Sequence, residues 1–128
     1  MEDVNNMKNS DSYKAGMLLG RMAQPLRREI NSFEKNYVGL LSRRIVDKQG
    51  LVKFMNFINE KLIIHDVAYR NLRESSVELS NIVNEIDEKQ YRKNYCAFGF
   101  FESYFGGHED AAKPNTQPIA AQANDNNQ

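Results

Sequence analysis

Large apolar side chains return at three- and four-residue steps along the first third of the chain: Leu18, Met22, Leu26, Ile30, Phe33 and Tyr37. That is the period of an amphipathic α-helix, whose one face must be buried against another element. The same period recurs further on. Leu51, Phe54, Met55, Ile58 and Leu62 define a second helical unit, and Ala68, Leu72, Leu79, Ile82, Val83 and Ile86 a third. A fourth, over KQYRKNYCAFGFFESYF, carries Tyr91, Tyr95, Phe98, Phe101 and Phe105 on one face, which predicts packing on the core. No segment alternates with the period of two that a half-buried strand requires, and no internal repeat is evident. The expected fold class is all-α: a helical bundle of four to five helices with a disordered C-terminal tail.

The helix boundaries follow from turn chemistry. Residues 1–10 are polar and expected to be loose, and Asp11-Ser12 offers an N-cap for the first helix. The apolar phase passes Pro25 without slipping, which favours one kinked helix over two helices with Pro25 in the first turn of the second. In VDKQG, Asp47 is available as a cap and Gly50 relieves the backbone of a turn. The acids ending the third unit oppose the helix macrodipole, so that helix is expected to stop early or to end in water. Gly106-Gly107 is expected to close the fourth helix. Beyond His108 the composition shifts to Asn, Gln and Pro with one large aliphatic residue, Ile119. Such a segment cannot bury enough apolar surface to offset its ordering entropy. The expected organisation is a flexible 1–10, a helical domain over 11–107 and a tail over 108–128.

Enzymatic chemistry finds few candidate residues. His65 and His108 have no ligand partners at metal-binding spacing, and Cys96 sits among aromatics as a buried small hydrophobe would. AGMLLG has glycines without the strand-to-turn context of a phosphate loop, so it points to helix packing. No catalytic residue, metal or cofactor is expected. A single cysteine makes no internal disulfide, and with no apolar run long enough to span a bilayer the cytoplasm is the expected compartment.

Charge is informative through its distribution. The 128 residues balance to zero, yet the stretch from Tyr13 to Arg73 holds twelve lysines and arginines against five acids, a net +7. From Glu74 onward nine acids oppose four bases. Such asymmetry is the footprint of a polyanion partner, set against the plainer reading of a bundle solvating its outside. Lys14, Arg21, Arg28 and Lys35 recur at heptad spacing. On one continuous helix they form a stripe with rungs about 10.5 Å apart, turned roughly 120° from the apolar face. Arg27, Arg43, Arg44, Lys48 and Lys53 widen it into a candidate track for phosphates. Phe100 and Tyr104 fall off the predicted apolar face of the fourth helix, and their expected exposure suggests a protein interface.

Four segments in order, YKAGMLLGRMAQ, NYVGLLSRRI, GLVKFMNFINEKL and YCAFGFFESYF, resemble the C-terminal helical region of the large subunit of type I CRISPR Cascade complexes. That region has a Tyr-containing LGR-type first helix, a Tyr-x-Gly-x-x-Ser element, a Phe-Leu-rich helix, and a closing helix with a glycine among aromatics. In several subtypes it is also made as a separate small subunit by internal translation, and a chain of this length starting at its own methionine looks like that product. The likeness covers residues 13–105 and departs at Pro25. It implies a non-catalytic subunit that packs against sister copies, backbone subunits and the large subunit. It also implies that the subunit helps hold the guide RNA–target DNA hybrid or the displaced single-stranded DNA, with no membrane or small-molecule substrate. The alternative expectation is a helical adaptor or regulator that binds a protein through its aromatic last helix, without nucleic acid.

Overall fold

The computed structural model describes the backbone of residues 2–66 and 72–112, with side chains over 5–66 and 72–106. Seven α-helices and one π-helical turn make up these residues: α1 (Glu2–Asn9), α2 (Asp11–Ala23), α3 (Leu26–Glu29), the π turn (Glu34–Val38), α4 (Leu41–Arg44), α5 (Lys48–Ile64), α6 (Arg73–Glu85) and α7 (Lys93–Ala112). There is no strand among them, and none of the described helices is long and apolar enough to cross a membrane. The fold is an all-α bundle, with more and shorter helices than the periodicity alone implied.

α2 is the central element, packing against α7, α6 and α5. Its N-cap is Ser10, whose hydroxyl accepts from the Tyr13 amide at 3.1 Å. Asp11 takes the first turn, where its charge suits the macrodipole. Ser12, half of the expected cap, is instead buried, and its hydroxyl accepts from the Arg92 amide at 2.9 Å, joining the starts of α2 and α7. α1 stands where loose chain was expected.

α2 and α7 run parallel, since Ser12 meets Arg92, Gly16 meets Cys96 to Phe100, and Gln24 donates to the Tyr104 carbonyl at 3.2 Å. Glycine sets their separation. A Cβ on Gly16 would overlap the Cys96 carbonyl, one on Gly20 the Phe100 carbonyl and Ser103 hydroxyl, and one on Gly99 the Tyr13 carbonyl. Backbone therefore lies against backbone along this seam. The face of α7 that meets α2 is Cys96, Gly99, Phe100, Ser103 and Tyr104, all buried.

The expected long first helix does not persist. Pro25 has no amide to donate, and the chain tightens across it: the Arg27 amide bonds to Gln24 O at 3.1 Å and the Arg28 amide to Pro25 O at 3.3 Å. Gln24 and Pro25 keep right-handed helical dihedrals, so the direction changes fully only later. Ile30 is extended (φ −123°, ψ 118°) and Ser32 is left-handed at φ 59°. Leu26 and Phe33 still reach the core, at 0% and 1% exposure, from separate pieces of chain. In the π turn the Gly39 amide bonds to Glu34 O at 2.7 Å.

α5 follows its sequence closely. Asp47 caps it by accepting from the Gly50 amide at 2.8 Å, and Leu51, Phe54, Met55, Ile58 and Leu62 are all buried. Gly50 serves space and not turn geometry, because a Cβ there would overlap the Arg44 carbonyl. α6 buries Leu79 and Val83 and half-buries Ile82, then stops at Glu85 as its C-terminal acids implied, with Ile86 extended. Leu72, just before it, is also half-buried, whereas Ala68 lies outside the described residues. Helix α7 continues through Gly106 and Gly107 to Ala112, so those glycines do not end it. The remainder of the expected tail, 113–128, lies outside the described residues.

The glycine seam sets a test. Gly16→Ala and Gly99→Ala should each destabilise the protein by about 1–3 kcal/mol through overpacking. Gly106→Ala, where an added Cβ meets nothing within 4 Å, should be neutral or slightly stabilising. Thermal melts followed by circular dichroism distinguish these outcomes.

Candidate nucleic-acid interface

Burial in α2 leaves a narrow opening to solvent. Of its thirteen residues only Asp11, Lys14 and Arg21 are exposed. Two rungs of the predicted cation stripe therefore stand on a rigid, buried helix, two turns apart, or about 10.5 Å along the axis. Arg28 on α3 and Lys35 in the π turn are also exposed, but the helix ends between them at an extended Ile30 and a left-handed Ser32. The four residues thus do not share one rod: the stripe is Lys14–Arg21 on α2, with Arg28 and Lys35 placed by separate short elements.

The flanking cations divide into two groups. Arg43 on α4 and Lys53 on α5 are exposed and make no ion pair among the described residues. Arg27 and Arg44 are engaged within the fold, and Lys48 is half-buried beside a polar cleft. Arg27 pairs with Glu34 at 3.3 Å, and its guanidinium lies 5.1 Å from the Tyr104 ring centre and 5.8 Å from that of Phe105. Arg44 is half-buried over Tyr37, Phe54 and Phe57. Lys48 lines a polar cleft with Asp47, Gln49, Glu88 and Lys89, where two carboxylates balance two ammonium groups. Sequence separation alone does not reveal such partners, since Arg27 meets Tyr104 from the far end of the chain.

Phe100 and Tyr104 are not surface interface residues. Both are fully buried at 0% exposure, stacked on each other at 5.4 Å, with Phe100 against Phe54 and Tyr104 against Phe33. The exposed aromatics of α7 are Phe98 (61%), Phe101 (39%) and Phe105 (43%), the residues expected inside. Two faces of this helix carry aromatics at helical spacing, and the small residues Gly99 and Ser103 mark the one that packs. Lys61, outside the candidate set, places its ammonium 5.4 Å from the Phe57 ring centre.

Polar groups near the seam are held neutral. Tyr13 donates to Glu102, and burial, reinforced by that carboxylate, pushes its phenol up to about 12. Burial raises the Cys96 thiol to about 12, so at neutral pH it is a protonated packing residue. Tyr91 donates to Ile45 O at 2.7 Å and is likewise raised by burial. Burial also raises Tyr104, helped by Glu34 and opposed by Arg27. No group of three His, Cys, Asp or Glu suited to a metal occurs among the described residues. The arrangement offers binding surfaces: exposed cations, a cation–aromatic cluster and an aromatic stripe.

No family model matches the sequence, and neither a curated protein nor a solved structure matches the chain.

The raised tyrosines fix a pH response. Below pH 10 they are protonated in both folded and unfolded chains and contribute no slope. Above it the unfolded chain loses protons first, so stability should fall as pH rises from about 10 toward 12. Tyrosinate absorbance at about pH 11 should be lower in the folded protein than in denaturant, and Tyr13→Phe should flatten part of the decline. Equal absorbance in the two states would contradict the burial described.

Proposed function

We propose that this chain is a non-catalytic small subunit of a CRISPR RNA-guided surveillance complex, using exposed cations to hold nucleic-acid backbone. The reading is carried by one observation: the solvent-facing residues of α2 beyond its first turn are Lys14 and Arg21, neither in an ion pair among the described residues. Arg28, Lys35, Arg43 and Lys53 add exposed charge of the same sign within a stretch of net +7. The ordered likeness of four segments to the large subunit's C-terminal helices supports the same reading, and an all-α bundle is the architecture that likeness implies.

The mechanism is electrostatic. Lysines and arginines neutralise phosphates and release counterions without reading bases, so affinity falls steeply with salt and little with sequence. Because the whole chain is neutral, its acidic C-terminal half offsets long-range attraction, and the basic surface acts chiefly where assembly brings nucleic acid to it. Contacts with backbone subunits and sister copies set its orientation.

A second reading has its own observation. Phe98, Phe101 and Phe105 share one exposed face of α7, the kind of aromatic surface at which proteins dock. In an adaptor, Phe98→Ser with Phe101→Ser removes partner binding and cation reversal has no effect.

The subunit reading makes the opposite demand. Arg21→Glu combined with Arg28→Glu should weaken target binding by the assembled complex by about tenfold or more near physiological salt, with the helical circular-dichroism signal intact. Unchanged binding would refute the phosphate track.

A further inference from the structure

Three aromatic rings converge on one arginine. The Arg44 guanidinium carbon lies 5.2 Å from the ring centre of Tyr37 in the π turn, 5.9 Å from Phe54 and 6.0 Å from Phe57 on α5. The Tyr37 and Phe57 rings are themselves in contact at 4.8 Å, both half-buried. Lys61, one turn beyond Phe57, brings its ammonium to 5.4 Å from the same Phe57 ring. Lys53, one turn before Phe57, is exposed on that side of α5, since residues four apart are neighbours on a helix.

A purely structural latch explains only part of this. An arginine on aromatic faces ties α4 to α5, and cation–π attraction suffices for that. It does not account for a second cation at the same ring. Neither Arg44 nor Lys61 makes an ion pair among the described residues, and Glu60, the acid beside Lys61 in the chain, does not bridge them. The Arg44 Nε is shielded from water without an acceptor. The cluster thus holds two cations without an ion pair among the described residues, one of them planar and held in place by packing. Such cations suit a doubly accepting anion such as a phosphodiester.

We infer that Arg44 and Lys61, seated on the Phe57 ring, form an anchor for a backbone phosphate of the nucleic-acid strand, with Lys53 taking a neighbouring phosphate. This rests on the polyanion reading and adds to it. The exposed lysines and arginines supply diffuse attraction, whereas Arg44 loses little freedom on binding and fixes where the strand lies. Lys61 thereby joins the binding surface, and Arg44 changes role from one rung among several to the fixed point.

The test uses the full chain and a fluorescently labelled oligothymidylate of about 20 nucleotides, with binding followed by anisotropy from about 50 mM salt upward. Arg44→Lys keeps the charge but loses the fork, and should weaken binding about fivefold. Lys61→Gln should lower the salt slope by about one, and Lys8→Gln on α1 should change neither quantity. If Arg44→Lys disturbs the circular-dichroism spectrum, the Lys61→Gln slope decides, and an unchanged slope overturns the anchor. Weakening by Lys14→Glu and Arg21→Glu, with Arg44→Lys and Lys61→Gln at wild-type affinity, overturns the anchor and leaves the polyanion reading standing. Absence of binding by the wild-type chain at the lowest salt overturns the anchor alone, since assembly still supplies the contacts of the polyanion reading, whereas binding that no variant affects overturns both.

Discussion

The close approach of α2 and α7 is the constraint on which the rest of the structure depends. Gly16, Gly20 and Gly99 remove the side chains that would hold two helices apart, and the backbones meet along a parallel seam. Contact at that distance rotates α7 so that Phe100 and Tyr104 enter the core and Phe98, Phe101 and Phe105 leave it. It also surrounds α2 on nearly every side. A helix buried this completely can present only a thin line to water, and in this sequence that line is cationic beyond Asp11 in the first turn. The surface character of α2 is in this sense a consequence of its packing.

Charge and aromatic rings then cooperate in two different ways. On α2 the cations are solvated and separate, suited to long-range, salt-sensitive attraction. Around α4 and α5 they are fixed on rings. Arg27 shows the contrasting outcome: it too lies over aromatic rings, but Glu34 neutralises it, so it serves the fold. Among the described residues Arg27 has an ion pair and Arg44 has none. That comparison separates arginines spent on packing from arginines still able to attract an anion.

Much of the architecture was legible in the sequence, and the failures have specific physical causes. The α5 face and its Asp47 cap follow from spacing and cap chemistry, because a straight helix with one buried side obeys local rules. The path after Pro25 does not. Leu26 and Phe33 are buried as their phase requires, yet a chain that breaks at Ile30 and passes through a left-handed Ser32 reaches the same core positions by another route. Burial was readable there and direction was not. In α7 two overlapping aromatic faces share the helical period, so periodicity could not choose between them. The small residues opposite Gly16 and Gly20 carried the missing signal. Of the candidate interface, Lys14 and Arg21 stand as a pair on one helix. The aromatic partners of Arg27 and Arg44 arise from tertiary contacts that no local pattern encodes.

The role proposed for this bundle is to hold nucleic acid within a larger RNA-guided assembly. Its most direct measurement is affinity purification of the tagged chain from its native host, followed by sequencing of bound RNA and identification of co-purifying proteins. That role predicts short guide RNAs of uniform architecture, bound with large backbone subunits in fixed ratio and removed by high salt. Recovery of protein partners with no guide RNA, insensitive to Arg21→Glu and lost on Phe98→Ser, would contradict it.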